Sequence, residues 1–220
     1  MHHRIARYKS ATKGLFFQKC SDPEVSNKTE YPSFARTEQP PLRIAKSIVS
    51  VLNHYSWNRV VIFAGEEFDT TKKFTHIKDA FEALAPKSNI SVNHTEILPS
   101  HYKSDKGYKQ RMKKIVEQTK DRTRIYLFIG ENVALLALMK LLGEMDDAGE
   151  FTLKEYVILA VDNSIDDPMD NVTACHQFIA PPWISALYHT QSGSDWHRLH
   201  TLYRSVLRIV PDVEDFKVKR

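Results

Sequence analysis

The chain has 220 residues, of which 42% are hydrophobic and 26% charged, enough apolar material for one large globular domain or two small ones. Its 31 basic and 27 acidic residues are mostly interspersed, which argues against a nucleic-acid partner. No apolar run reaches the roughly 18 residues of a membrane span, and the N-terminus has no apolar stretch of signal-peptide length. The chain as written is therefore expected to contain neither a signal peptide nor a transmembrane segment.

The first 41 residues divide into two segments. Residues 1–19 form an atypical N-terminal segment that carries several cations. Residues 20–41 include the stretch YPSFARTEQPP, in which three prolines fix φ and remove amide donors. We expect this stretch to be a connector of defined shape, neither a helix nor a central strand.

Residues 42–161 alternate between helical and strand patterns. Apolar residues at helical spacing predict a helix over 42–57, and NRVVIFAG at 58–65 predicts a strand covered on both faces. Asp69 or Thr70 is expected to cap a second helix, which Pro86 ends. The more mixed residues 90–98 predict a strand nearer an edge of the sheet.

The alternation then repeats. The next elements are a basic-faced helix over 107–121, the strand RIYLFIG, the helix ENVALLALMKLLGEM and a fourth strand, EYVILAV. Strands that alternate with helices at short spacing predict right-handed crossovers and a parallel sheet with helices on both faces. Residues 42–161 are therefore predicted to be one α/β lobe.

The regular pattern ends after Val161. Residues 162–193 form a long irregular connection, longer than the loops expected inside a compact domain. Residues 194–220 are predicted to hold a last helix and a tail. The apolar residues of that helix need a partner, and they are Trp196, Leu199, Tyr203, Val206, Leu207 and Val210.

Motifs of catalysis and cofactor binding are missing from the sequence. It has seven glycines and no dinucleotide-binding, P-loop, nucleophile-elbow or zinc-protease pattern. Glu66, Glu67 and Asp69 follow the first buried strand and would repel a phosphate. We therefore expect no catalytic residue, no metal site and no cofactor.

Four N-x-S/T sequons occur, at Asn27, Asn89, Asn93 and Asn171, where composition alone predicts about one. This excess favours a secretory history and makes these asparagines glycosylation candidates. Since no signal peptide is apparent, the simplest expectation is a chain that lacks its true beginning. Cys20 and Cys175 are disulfide candidates that could pair, stay free or have partners elsewhere.

Residues 26–63 carry a specific combination of motifs. They contain Tyr31-Pro32-x-Phe34-x-Arg36-Thr37, then a proline pair, then Tyr55-x-Trp57-Asn58 and the strand residues Val60-Val61-Ile62. This combination resembles the ligand-binding region of the natriuretic-peptide-receptor (ANF receptor) family, and most of all the invertebrate receptor guanylyl cyclases. Gln39 lengthens the family's usual spacing before the prolines, and Cys20 and Cys175 match none of its disulfides. Beyond residue 65 the resemblance is in architecture.

The resemblance implies a periplasmic-binding-protein type I fold, with two α/β lobes joined by crossing strands. Residues 20–41 would then be an interlobe crossover and 42–161 most of one lobe. Tyr31, Pro32, Phe34, Arg36 and Thr37 would act as hinge residues, with no claim of ligand contact.

The implied function is non-catalytic binding of an extracellular peptide or small ligand, possibly by a homodimer. The implied location is the extracellular face of the plasma membrane in a full-length receptor, of which this chain would be a fragment without the transmembrane and cyclase domains. A product of gene truncation is compatible with this hypothesis. A cytosolic α/β nucleotide-binding protein or enzyme remains the alternative.

Overall fold

The computed structural model describes residues 16–18, 27, 29–30, 34–36, 39–65, 72–98, 107–161 and 196–209. Its strands are β1 (Phe16–Gln18), β2 (Phe34–Arg36), β3 (Arg59–Gly65), β4 (Ser91–Leu98), β5 (Ile125–Ile129), β6 (Val157–Val161) and β7 (Val206–Ile209). Strands β1 and β2 form a separate parallel pair, and the other five form one sheet in the order β4-β3-β5-β6-β7. Every neighbouring pair in that sheet is parallel.

Helices cover both faces of the five-stranded sheet. They are α1 (Pro41–His54), α2 (Lys73–Leu84), α3 (Tyr108–Thr119), α4 (Asn132–Asp147) and α5 (Trp196–Leu202). Helices α1 and α2 pack on one face, and α3, α4 and α5 on the other. This arrangement confirms the predicted α/β class with helices on both sides of a parallel sheet.

The alternation of side chains along β3 explains the two-sided core. Val61 and Phe63 pack toward α3 and α4, whereas Val60 and Ile62 pack toward α1 and α2. All five residues of β5 are buried. A strand buried on both faces gains from apolar residues at every position, which is why the three inner strands read as uninterrupted apolar runs.

The structure changes two predicted helix boundaries. Helix α1 begins at Pro41, where a missing amide hydrogen costs nothing, and ends at His54 before residue 57. Helix α2 starts later than a cap at Asp69 or Thr70 would place it, and those two residues lie outside the described part of the chain. The helix begins after Lys72, which adopts a left-handed conformation with φ of 48° and makes no capping hydrogen bond with its side chain.

The prediction of one continuous helix through Val206 and Leu207 is wrong. Helix α5 ends at Leu202, and a short 3-10 turn, Tyr203–Ser205, leads into β7. The backbone of β6 has N–H and C=O groups that a neighbouring strand can pair with and a longer helix could not. Val206–Ile209 therefore forms β7, the fifth strand of the main sheet, beside β6. Helix α5 packs on α4, where Gly143 leaves room for Leu202.

Candidate functional site

The order of the strands creates a crevice at the carboxyl edge of the sheet. Numbered within the sheet, the order is 2-1-3-4-5, with β3 first and β5 third. The chain leaves β3 toward α2 on one face and leaves β5 toward α4 on the opposite face. In open parallel sheets, ligands bind at this switch point, outside the carboxyl ends of the strands.

Two glycines lie at the carboxyl ends of β3 and β5, beside this switch point, and we call them the floor. Gly65 ends β3 and Gly130 directly follows β5. A Cβ atom on Gly65 would lie 3.3 Å from the Cα atom of Gly130, and one on Gly130 would lie 3.1 Å from the ring of Phe128. A larger residue at either position would have to push its neighbour aside. The floor is therefore bare backbone.

The described rim combines one apolar and one charged side chain. The ring of Phe74, from α2, would be 3.6 Å from a Cβ atom on Gly65. Glu131 is exposed at the start of α4, and its carbonyl oxygen accepts hydrogen bonds from the amides of Ala134 and Leu135. A carboxylate at a helix start is favoured by the positive end of the helix dipole.

Acidic, histidine and cysteine side chains are the possible metal ligands. In the part of the chain that the structure describes, no three His, Cys, Asp or Glu side chains lie close enough to hold a metal ion. The residues that follow β3, β4 and β6, which are 66–71, 99–106 and 162–195, fall outside that part.

Two of the five sequence-predicted hinge residues fall within the described part of the chain. Phe34 and Arg36 belong to β2, where they pair with Phe16 and Gln18 in the small parallel sheet. Tyr31, Pro32 and Thr37 lie outside the described residues. Phe34–Arg36 are thus extended and lie outside the five-stranded sheet.

The other predicted site residues are distributed as follows. Asn27, Asn89 and Asn93 are exposed, and the last two flank the start of β4. Cys20, Cys175 and Asn171 lie outside the described residues. The structure therefore brings together two glycosylation candidates and leaves the disulfide candidates untested.

Sequence reasoning missed Gly65 and Gly130 as site residues. The signal was present, because NRVVIFAG and RIYLFIG are both buried strands that end in glycine. Glycine at the end of a buried strand often marks a close approach of backbone. The pairing of these two glycines across β3 and β5 depends on strand order, which no local pattern reveals.

The basic face of α3 is held by acidic neighbours. Lys109 pairs with Glu144, Lys113 with Glu150 at 2.6 Å, and Arg111 with Glu96 at 2.9 Å; the acids come from α4, the segment after it and β4. The hydrogen bond to Glu150 raises the pKa of Lys113. A nucleic-acid-binding surface needs cations that can contact phosphates, whereas these cations are already paired with acidic side chains.

The described helices include none that is long and apolar enough to cross a membrane. What they build with the sheet is an α/β lobe of the periplasmic-binding-protein-like class. The chain belongs to the ANF receptor family, described as the receptor family ligand binding region, which it matches over residues 5–194. The matched region is one for ligand binding, not catalysis.

Several receptors are similar to this chain. Guanylate cyclase 32E of Drosophila melanogaster is 31% identical over 168 residues, which cover 76% of this chain and 14% of that protein. The Speract receptor of Strongylocentrotus purpuratus is 28% identical over 69% of this chain and 13% of its own length. The Resact receptor of Arbacia punctulata is 29% identical over 51% of this chain and 11% of its own length. The matches therefore span a small part of each relative.

Proposed function

We propose that this chain forms one lobe of the extracellular ligand-binding region of a receptor guanylate cyclase, and that it binds an extracellular peptide or small ligand without catalysing a reaction. The observation that carries the proposal is the backbone floor made by Gly65 and Gly130 at the switch point, in a chain of a ligand-binding family. Bare backbone lets a ligand approach the sheet closely.

In this proposal the segment 20–41 is the crossover between two lobes. The pairing of β2 with β1 in a small sheet of their own supports it, since crossing strands need a hydrogen-bonding partner outside the main sheet. Phe34 and Arg36 would then hold the lobe geometry while ligand binding changes it. Signalling would proceed through rearrangement of lobes or of a homodimer.

The test asks on which side of the membrane the chain resides. The complete gene product is expressed with an epitope tag within its ligand-binding region, and antibody is applied to intact and to permeabilised cells. We expect labelling of intact cells and a loss of mass on treatment with glycosidase. Labelling only after permeabilisation, with no change of mass, would overturn the proposal.

A nucleotide-binding assay distinguishes the proposed function from the alternative, a cytosolic α/β nucleotide-binding protein or enzyme. A ligand that binds the folded state at 100 times its dissociation constant stabilises it by about 2.7 kcal/mol. We expect the melting temperature of the purified chain to stay unchanged with ATP, GTP or FMN. Clear stabilisation by one of them would instead favour the cytosolic nucleotide-binding protein.

A further inference from the structure

An irregularity lies at the amino end of the edge strand β4. Val60 of β3 pairs with Val92, but Val61 pairs with His94, so Asn93 is the extra residue of a β-bulge. Strand β4 has a neighbour on one side only within the described sheet. An edge strand presents unpaired N–H and C=O groups to which another chain can add. The bulge thus falls where the sheet is open.

The bulge also sets which face each following residue occupies. Without it, His94 would share a face with Val92, which packs with α1 and α2. With it, Glu96 contacts Arg111 of α3, whereas the hydroxyl of Thr95 donates to Glu82 of α2 at 2.7 Å. Asn93 itself is exposed and takes no part in the ladder.

The side chain of Asn93 is held weakly. Its Nδ2 atom donates to the carbonyl oxygen of Arg122 at 3.4 Å, and its Oδ1 atom accepts from Ser91 at 3.5 Å. Both distances are at the long limit for hydrogen bonds. A sugar on Nδ2 leaves one amide hydrogen, so the bond to Arg122 can persist after modification.

Asn89 offers a second site close by. It is exposed and lies two residues before β4, in a left-handed conformation with φ of 57° that asparagine tolerates. Both asparagines are far from the crevice. The five residue-to-residue steps from Asn93 to Leu98 span about 17 Å of strand toward the carboxyl edge. Glycans here would leave the carboxyl edge of the sheet open.

We propose that Asn93 carries an N-linked glycan, with Asn89 as a neighbouring site, and that the sugar on the bulge shields the open edge of β4 from pairing with other chains. This inference rests on the proposed extracellular function, since the sugar is added in the secretory pathway. A glycan is bulky and hydrophilic, so it blocks the approach of a second strand without removing any backbone hydrogen bond of the sheet.

The first experiment maps the sugars on the full chain, expressed with an added secretory leader in insect cells. Glycosidase treatment in heavy-oxygen water converts each modified asparagine to labelled aspartate, which mass spectrometry of peptides identifies. We expect labelled residues 89 and 93. An unlabelled Asn93 beside a labelled Asn27 would overturn the inference.

The second experiment tests the shielding role with Asn93→Gln. Thr95→Ser keeps both the sequon and a hydroxyl for Glu82, and Asn27→Gln removes a sugar away from β4. At equal fractions unfolded, we expect Asn93→Gln to aggregate about threefold faster, by light scattering, than either control. The variant Asn89→Gly is used to remove the sequon at residue 89, because glycine adopts a positive φ without strain. Equal rates for Asn93→Gln and Asn27→Gln would overturn the shielding role.

The same mapping on the native gene product separates the two proposals. Sugar on Asn27 or Asn171 with a bare Asn93 would refute the inference and leave the extracellular function standing. A native product without any sugar, beside a leader-fused chain modified at Asn93, would refute the extracellular function and keep the site.

Discussion

Replacing Gly143 by alanine should destabilise the protein when Leu202 is present and stabilise it in the Leu202→Ala background. A Cβ atom on Gly143 would lie 2.6 Å from the Cδ2 atom and 3.2 Å from the Cδ1 atom of Leu202. Leu202 is 7% exposed and belongs to the core between α4 and the sheet. The added methyl group therefore has no space unless the leucine moves.

The expected magnitudes follow from two opposed effects. Alanine gains about 1 kcal/mol over glycine inside a helix, whereas overpacking costs about 1–3 kcal/mol. Gly143→Ala alone should thus lower the free energy of unfolding by about 0–2 kcal/mol. Leu202→Ala should lower it by about 2–5 kcal/mol, and in that cavity Gly143→Ala should restore about 1 kcal/mol.

Urea unfolding of the four proteins, followed by far-ultraviolet circular dichroism, measures this double-mutant cycle. We expect a coupling free energy of about 1–3 kcal/mol. Gly149→Ala is the control: its φ of 70° penalises alanine, but a Cβ atom there meets nothing within 4 Å, so its effect should be equal in both backgrounds. Equal effects of Gly143→Ala in both backgrounds would refute the contact.

Three further predictions concern pH, the bulge and association. Burial raises the pKa of Tyr126 and Tyr203 above the ordinary value of 10.0, so the folded state keeps protons that the unfolded chain releases. The stability that these two phenols contribute should be fully present below pH 10 and then be lost at about 1.4 kcal/mol per pH unit for each tyrosine, so the slope in urea melts of Tyr126→Phe should be smaller than that of the parent by about this amount. Deleting Asn93 removes the bulge and keeps later residues on their faces, so it should cost little. Deleting Thr95 either turns Leu98 to the wrong face or, if the bulge is lost instead, turns His94 toward α1 and α2 and removes the hydrogen bond from Thr95 to Glu82. It should therefore cost more than the deletion of Asn93, a contrast that equal melting temperatures would contradict. Finally, the purified chain should self-associate with rising concentration if lobes or copies pair as proposed, and light scattering that finds a monodisperse monomer with cooperative melting would count against this.

The inner strands were predictable because they are buried on both faces. All five residues from Val60 to Ala64 are apolar and buried. A helix with this composition would have to be buried on every side. The mixed composition of 90–98 correctly placed that strand at an edge, since an edge strand meets water. Local composition is sufficient where burial dictates every position.

The final strand was not predictable from periodicity. Leu199, Tyr203, Val206 and Leu207 follow a helical spacing, so the pattern favours a helix as much as a strand. The free edge of β6, far away in sequence, decides in favour of β7. The bulge at Asn93 and the approach of Gly65 to Gly130 depend on the register between strands in the same way.

In most binding sites the same side chains must both stabilise the fold and contact the ligand. At the backbone floor of Gly65 and Gly130 these two roles would fall to different residues. The core under the crevice is filled by β3, β5 and their helices, and none of its side chains needs to be chosen for the ligand. Ligand preference can then change through substitutions in the connecting segments, without repacking the interior. If the edge binds a ligand as we propose, the lobe can follow a changing ligand at little risk to its own folding.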